Sequence, residues 1–150
     1  MTSLRAMEIL AKRLHPDAVV PVYANEGDAG CDLVAVESCT IKARGGRALV
    51  ATGIAVAIPE GHGGFVLPRS GLASRHGVTL ANAPGLIDAG YRGEVKVALV
   101  NLDPEHDYDV EKGDRIAQLV VMAVTSSTVL VVDELPDTTR GEGGFGSSGR

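Results

Sequence analysis

Short apolar runs, each closed by Gly, Pro or a polar cluster, recur along the whole chain. Arg47–Ile58 (RALVATGIAVAI) reads as a strand, a glycine-marked turn or bulge, and a second strand, ended by Pro59–Gly61. Gly64–Leu67 and Val78–Ala81 are shorter runs of the same kind, and Val95–Asn101 (VKVALVN) alternates. Arg115–Val124 and Thr128–Val132 follow, divided by Thr125–Ser127. β-Branched runs between regular turn signals predict an all-β sandwich or barrel. One short helix is predicted over Ser70–His76, with Ser70 as its N-cap and Gly77 as the residue that stops it. Ala6–Leu14 fits either a helix, on propensity, or an edge strand; His15-Pro16-Asp17 ends it in both cases.

Composition supports the β reading. The 19 glycines in 150 residues suit turns, since an interior glycine costs a helix about 1 kcal/mol. A chain of this length makes one domain, and one that gains from oligomerisation. Aromatic residues are 3% with no Trp, so the core has to be built from Val, Ile, Leu and Ala. The net charge of −5 argues against a general nucleic-acid binder. Any anionic ligand therefore needs a local cluster of cations, backbone amides or a metal. Cys31 and Cys39 form no CxxC pair and are expected to be reduced thiols of a cytoplasmic protein. Residues 1–15 lack the apolar core of a signal peptide, and no apolar run approaches a membrane span. The final segment, residues 137–150, is different in kind, with little to bury and five glycines in its last ten positions. Composition makes it either a flexible tail or a binding element.

Four other segments could carry chemistry. Asp28–Leu33 (DAGCDL) places two carboxylates four apart around a glycine, which suits a divalent ion held directly or through its waters, or a plain Asx-type turn. Pro68–Ala73 (PRSGLA) sets Arg69, Ser70 and Gly71 at a helix start, where a phosphate would find a cationic fork, a hydroxyl and an open amide; a plain capped helix has the same pattern. Asn82–Lys96 (NAPGLIDAGYRGEVK) reads as a hairpin carrying Asp88, Tyr91 and Lys96 among three glycines. Gly113–Leu119 (GDRIAQL) is a turn entering a strand that bears Gln118.

Together with Arg140–Gly149 (RGEGGFGSSG), these segments occur in the order and approximate spacing of the five motifs of trimeric deoxyuridine triphosphate diphosphatases (dUTPases), which the chain resembles from about Leu14 to its end. The resemblance implies a jelly-roll-like β-barrel over residues 1–136, a flexible glycine-rich arm over 137–150 that closes on the nucleotide, and a homotrimer whose three active sites are shared between subunits. It implies hydrolysis of dUTP to dUMP and pyrophosphate with Mg²⁺, limiting uracil in DNA and supplying dUMP for thymidylate synthesis. Residue by residue, Leu86, Ile87 and Asp88 resemble the backbone that reads uracil. Asn82 matches a supporting position and Lys96 a nucleotide contact. Tyr91 resembles the ring packed beneath deoxyribose, and Asp88 the base that orients the attacking water. Arg69, Ser70, Gly71 and Gln118 match phosphate ligands. Asp32 resembles the acid that reaches Mg²⁺ through a water. In the arm, Phe145 resembles the ring that stacks on uracil, and Arg140, Ser147 and Ser148 the group that binds the γ-phosphate end. Cys31 departs from the pattern, standing where Tyr, Val or Ile is expected.

Two rivals share the barrel. A dCTP deaminase uses a catalytic Glu in a different neighbourhood and lacks the intact IDAGYRGE segment; ammonia released from dCTP would be its mark. A nucleotide-binding regulator without catalysis has no need of Asp88, Gln118 and the arm together.

Overall fold

The computed structural model of the chain describes residues 7–147 and 149. In chain order the elements are β1 (Leu10–Arg13), β2 (Cys31–Val34), β3 (Cys39–Ile41), β4 (Gly46–Ala57), β5 (His62–Leu67), α1 (Ser70–His76), β6 (Val78–Leu80), β7 (Gly85–Ile87), β8 (Glu94–Asn101), β9 (Tyr108–Val110) and β10 (Arg115–Ala123). They build two four-stranded sheets, ordered β1-β4-β8-β6 and β2-β10-β5-β7, and a β3-β9 ribbon. This is the all-β, jelly-roll-like architecture predicted, with its single short helix.

Alternation does the positioning. Along β8, Val95, Val97, Leu99 and Asn101 are buried while the residues between them face outward, as a strand period of two requires. The core is aliphatic, with Leu33, Ile41, Ile54, Leu99, Ile116 and Leu119 almost fully buried; each such side chain contributes about 2 kcal/mol. Asn101 is buried too, but its amide donates to the Ile41 and His106 carbonyls and its Oδ1 accepts from the Asp103 amide, which removes the penalty of an unpaired polar group. Both cysteines are free thiols. Burial pushes the Cys31 thiol up, and its Sγ lies 3.5 Å from the Leu119 carbonyl.

The glycine-marked break in Arg47–Ile58 is a bulge within one long strand. Ala51 pairs with Lys96 and Ala55 with Glu94, so three residues of β4 face the single Val95. Gly53 has φ +67°, and a Cβ there would lie 2.8 Å from the His15 Cβ; both facts call for glycine.

One open choice is settled and three expectations change. The N-terminal run is the edge strand β1, paired with β4, and not a helix. Ser70 is the first helical residue of α1; Arg69 stands at the N-cap in an extended conformation and no side chain caps the helix. Gly77 does end it, with φ 64°. The segment around Gly85–Tyr91 is not a two-stranded hairpin. β7 pairs with β5 in one sheet, while β8 pairs with β4 and β6 in the other, because long-range pairing on each side outweighs the local return of the chain. Finally, Thr128–Val132 forms no strand. Val129, Leu130 and Val131 are 89%, 76% and 99% exposed, so nothing among the described residues covers them.

Candidate active site

β6 and β7 are consecutive strands, yet they lie at the edges of different sheets. Where the sheets part, a cleft of about 580 Å³ opens. Gly85, Leu86 and Ile87 line one side of it, and Glu94–Ala98 with Leu80 and Leu49 the other. β7 is paired only on its β5 side among the described residues. Its second edge therefore leaves backbone N–H and C=O groups unpaired. Gly85 lets the neighbouring side chain close in: a Cβ there would sit 3.3 Å from the Asn82 amide nitrogen. Of the residues singled out from sequence, Asn82, Leu86, Ile87, Tyr91 and Lys96 all line this cleft.

Asp88 follows β7 at the turn, where its carbonyl accepts from the Tyr91 amide at 3.0 Å. It is exposed, and among the described residues its carboxylate has no hydrogen-bond or ion-pair partner. Tyr91 is half-exposed and donates its hydroxyl to the Glu94 carbonyl at 2.9 Å.

A second group assembles across the other sheet. β10 lies between β2 and β5, and its Gln118 is in register with Asp32 on one side and Leu67 on the other. The Gln118 side chain donates to the Pro68 carbonyl at 3.0 Å. Arg69 Nε stands 3.4 Å from Asp32 Oδ1, and an Arg69 guanidinium nitrogen donates to the Arg115 carbonyl at 3.1 Å. Arg115 in turn reaches Asp32 Oδ2 at 3.4 Å. Two arginines thus flank one carboxylate beside an amide side chain, with net positive charge. Ser70 and Gly71 are exposed at the start of α1, and a Cβ on Gly71 would meet nothing within 4 Å, so a ligand can approach its amide closely. In this sheet Arg69 follows β5, the neighbour of β7, while Gln118 on β10 is two strand spacings from β7 and Asp32 on β2 three, roughly 14 Å.

Sequence reasoning missed Arg115. The register shift between Arg115 and Ala117 that brings it to Asp32 leaves no mark in the sequence, although an arginine three positions before Gln118 was a signal. Glu94, which lines the cleft, was missed as well.

The donor set bears on a metal. No three His, Cys, Asp or Glu side chains converge among the described residues, so those residues offer no cage for a directly held ion. A single half-buried carboxylate, Asp32, does fit Mg²⁺, which keeps several waters and needs few protein oxygens.

The C-terminal segment, described over residues 137–147 and 149, stays apart from both groups. Its hydrogen bonds are local, such as Arg140 Nε to the Gly143 carbonyl at 2.7 Å, and the Phe145 ring is fully exposed. Among the described residues no hydrogen bond or ion pair joins Arg140, Phe145 or Ser147 to either group; Ser148 lies outside the described residues.

Comparison with known proteins agrees with this geometry. A family model described as dUTPase matches residues 17–149. A deoxyuridine 5'-triphosphate nucleotidohydrolase of Leifsonia xyli is 54% identical over 149 residues, covering 99% of this chain and 93% of the relative. One of the same description from Thermobifida fusca is 56% identical over 138 residues, covering 92% and 76%. Among solved structures, the Staphylococcus bacteriophage 80alpha dUTPase with dUPNHPP superposes with a TM-score of 0.88 at 32% identity, covering 95% of this chain and 99% of its own.

Proposed function

Because the chain belongs to the dUTPase family and is a dUTP diphosphatase, we propose that it hydrolyses dUTP by in-line attack of water on the α-phosphorus, in a site completed by neighbouring subunits. The observation that carries the reading is the cleft at the sheet seam, with the free edge of β7 facing it. Uracil presents acceptor, donor and acceptor in a row at O2, N3 and O4. The backbone of Leu86, Ile87 and Asp88 offers a complementary row, supported by Asn82. Cytosine reverses N3 and the 4-position, leaving buried groups unpaired, an expensive mismatch. Tyr91 packs beneath deoxyribose and leaves no space for a 2′-hydroxyl, and Lys96 contacts the nucleotide.

Asp88 orients the attacking water and takes its proton as the new P–O bond forms; the bond to the β-phosphate oxygen breaks and pyrophosphate leaves. Positioning and charge neutralisation are most of what phosphoryl transfer requires. Arg69, Ser70 and the Gly71 amide grip the phosphates, and Gln118 contacts the α-phosphate. Mg²⁺, when bound, would supply charge neutralisation at the phosphates, and Asp32 would hold it through water. Arg140, Ser147 and Ser148 meet the γ-phosphate end, and Phe145 stacks on uracil as the arm, residues 137–150, closes over the 1–136 barrel.

A homotrimer supplies what one chain lacks. The apolar run Val129–Val132 and Leu135 is exposed, and exposed contiguous apolar surface of this kind marks a contact with another chain. In this reading the enzyme works in the cytoplasm, lowering dUTP and so limiting uracil in DNA while providing dUMP for thymidylate synthesis.

Pyrophosphate release with dUTP, UTP and dCTP in parallel tests the cleft. We expect kcat/KM to be lower than for dUTP by roughly 10²-fold or more for UTP, which adds a hydroxyl, and by roughly 10⁴-fold for dCTP, which leaves polar groups unpaired. Comparable values for UTP and dUTP would show that Tyr91 does not read the sugar.

A further inference from the structure

We infer that Glu94 is a positioning residue of the nucleotide cleft, holding Lys96 in place from the β4 bulge; this rests on the reading of Lys96 as a nucleotide contact. The bulge creates the opportunity. With three residues of β4 facing the single Val95, the ladder is interrupted and the Gly53 amide needs another acceptor. Glu94 Oε1 accepts from it at 2.9 Å. The Thr52 hydroxyl meets the Val95 carbonyl in the same gap, at 2.6 Å. The second carboxylate oxygen of Glu94 lies 3.6 Å from Lys96 Nζ.

The backbone of Glu94 serves the other side of the cleft. Its carbonyl receives the Tyr91 hydroxyl. Gly93 makes that bond possible, since a Cβ there would come within 2.6 Å of Tyr91 Cζ. Tyr91, Glu94 and Lys96 all line the same cavity. One half-buried carboxylate, fixed by a main-chain amide, thus anchors the strand end on which both contacts depend. Lys96 is a flexible, half-exposed side chain. Its ammonium has three donors, so an ion pair with Glu94 orients it and still leaves donors for a ligand.

Glu94→Gln separates the two roles of the side chain. Its amide oxygen still accepts from Gly53, but the charge facing Lys96 is gone. The proposal predicts a urea-unfolding midpoint close to wild type and a KM for dUTP raised about two- to fivefold, with kcat within about twofold, the size expected of a part-exposed ion pair. Lys96→Met should also raise KM, and the double variant should be no worse than Lys96→Met alone, because Glu94 acts through Lys96. An unchanged or lower KM in Glu94→Gln, or fully additive effects in the double variant, overturns the proposal while the role of Lys96 stands. If Lys96→Met itself leaves KM unchanged, the assignment of Lys96 to the nucleotide fails and Glu94 loses its role with it.

Discussion

Replacing Asp88 with asparagine should lower turnover of dUTP by about 10²–10⁴-fold while leaving nucleotide binding largely intact, the range expected for loss of a general base. Asparagine keeps the shape of the side chain and can still hydrogen-bond a water, but it cannot take the proton that water must lose. The position suits the role. Asp88 directly follows the strand whose free edge faces the cleft, it is exposed, and among the described residues no cation or donor occupies its carboxylate. Its neighbours contribute through the backbone, which the substitution leaves unchanged. Steady-state turnover beside the dissociation constant of a non-hydrolysable analogue separates chemistry from binding. Near-normal turnover in Asp88→Asn would remove Asp88 from the mechanism.

The second large effect belongs to the arm. Truncation after Asp137 should leave the barrel folded and the trimer assembled, yet reduce turnover by roughly 10²-fold or more through loss of preorganised charge and of water exclusion. The buried core ends at Leu119, so the barrel loses no packing. Ordering each arm residue costs about 1–2 kcal/mol of backbone entropy, and local bonds such as Arg140 to Gly143 cannot offset that. The proposed stacking of Phe145 on the base, which would be worth about 1–3 kcal/mol, together with Arg140 on the phosphates, would offset it. Light scattering and activity on the same sample check both halves. Full activity after truncation would end the closing-arm account, and a mass of one chain in a sample still hydrolysing dUTP would end the shared site.

Local signals made much of this molecule legible. The alternation of β8, the αL glycine after α1 and the aliphatic core all follow from residue type and spacing, and the five segments point to the family. What stayed hidden depends on pairing between distant parts of the chain. Gly85–Ile87 and Glu94–Asn101 look like the arms of one hairpin, but each bonds to a different sheet, and the cleft exists because they do. Arg115 reaches Asp32 through a register shift that no composition encodes. Glu94 looks like a surface acid until the β4 bulge presents it with the Gly53 amide. Thr128–Val132 reads as a strand for a sound reason, its β-branched run, yet among the described residues no strand pairs with it. Ser70 is a favoured capping residue one position too late, because the extended Arg69 takes the cap.

The central claim is attack by water on the α-phosphorus in a site poised by Asp88. The most direct measurement is hydrolysis of dUTP in oxygen-18 water, with the products resolved by mass spectrometry. The account predicts one labelled oxygen in dUMP and none in pyrophosphate. Label in pyrophosphate with unlabelled dUMP would place the attack on the β-phosphorus and contradict it.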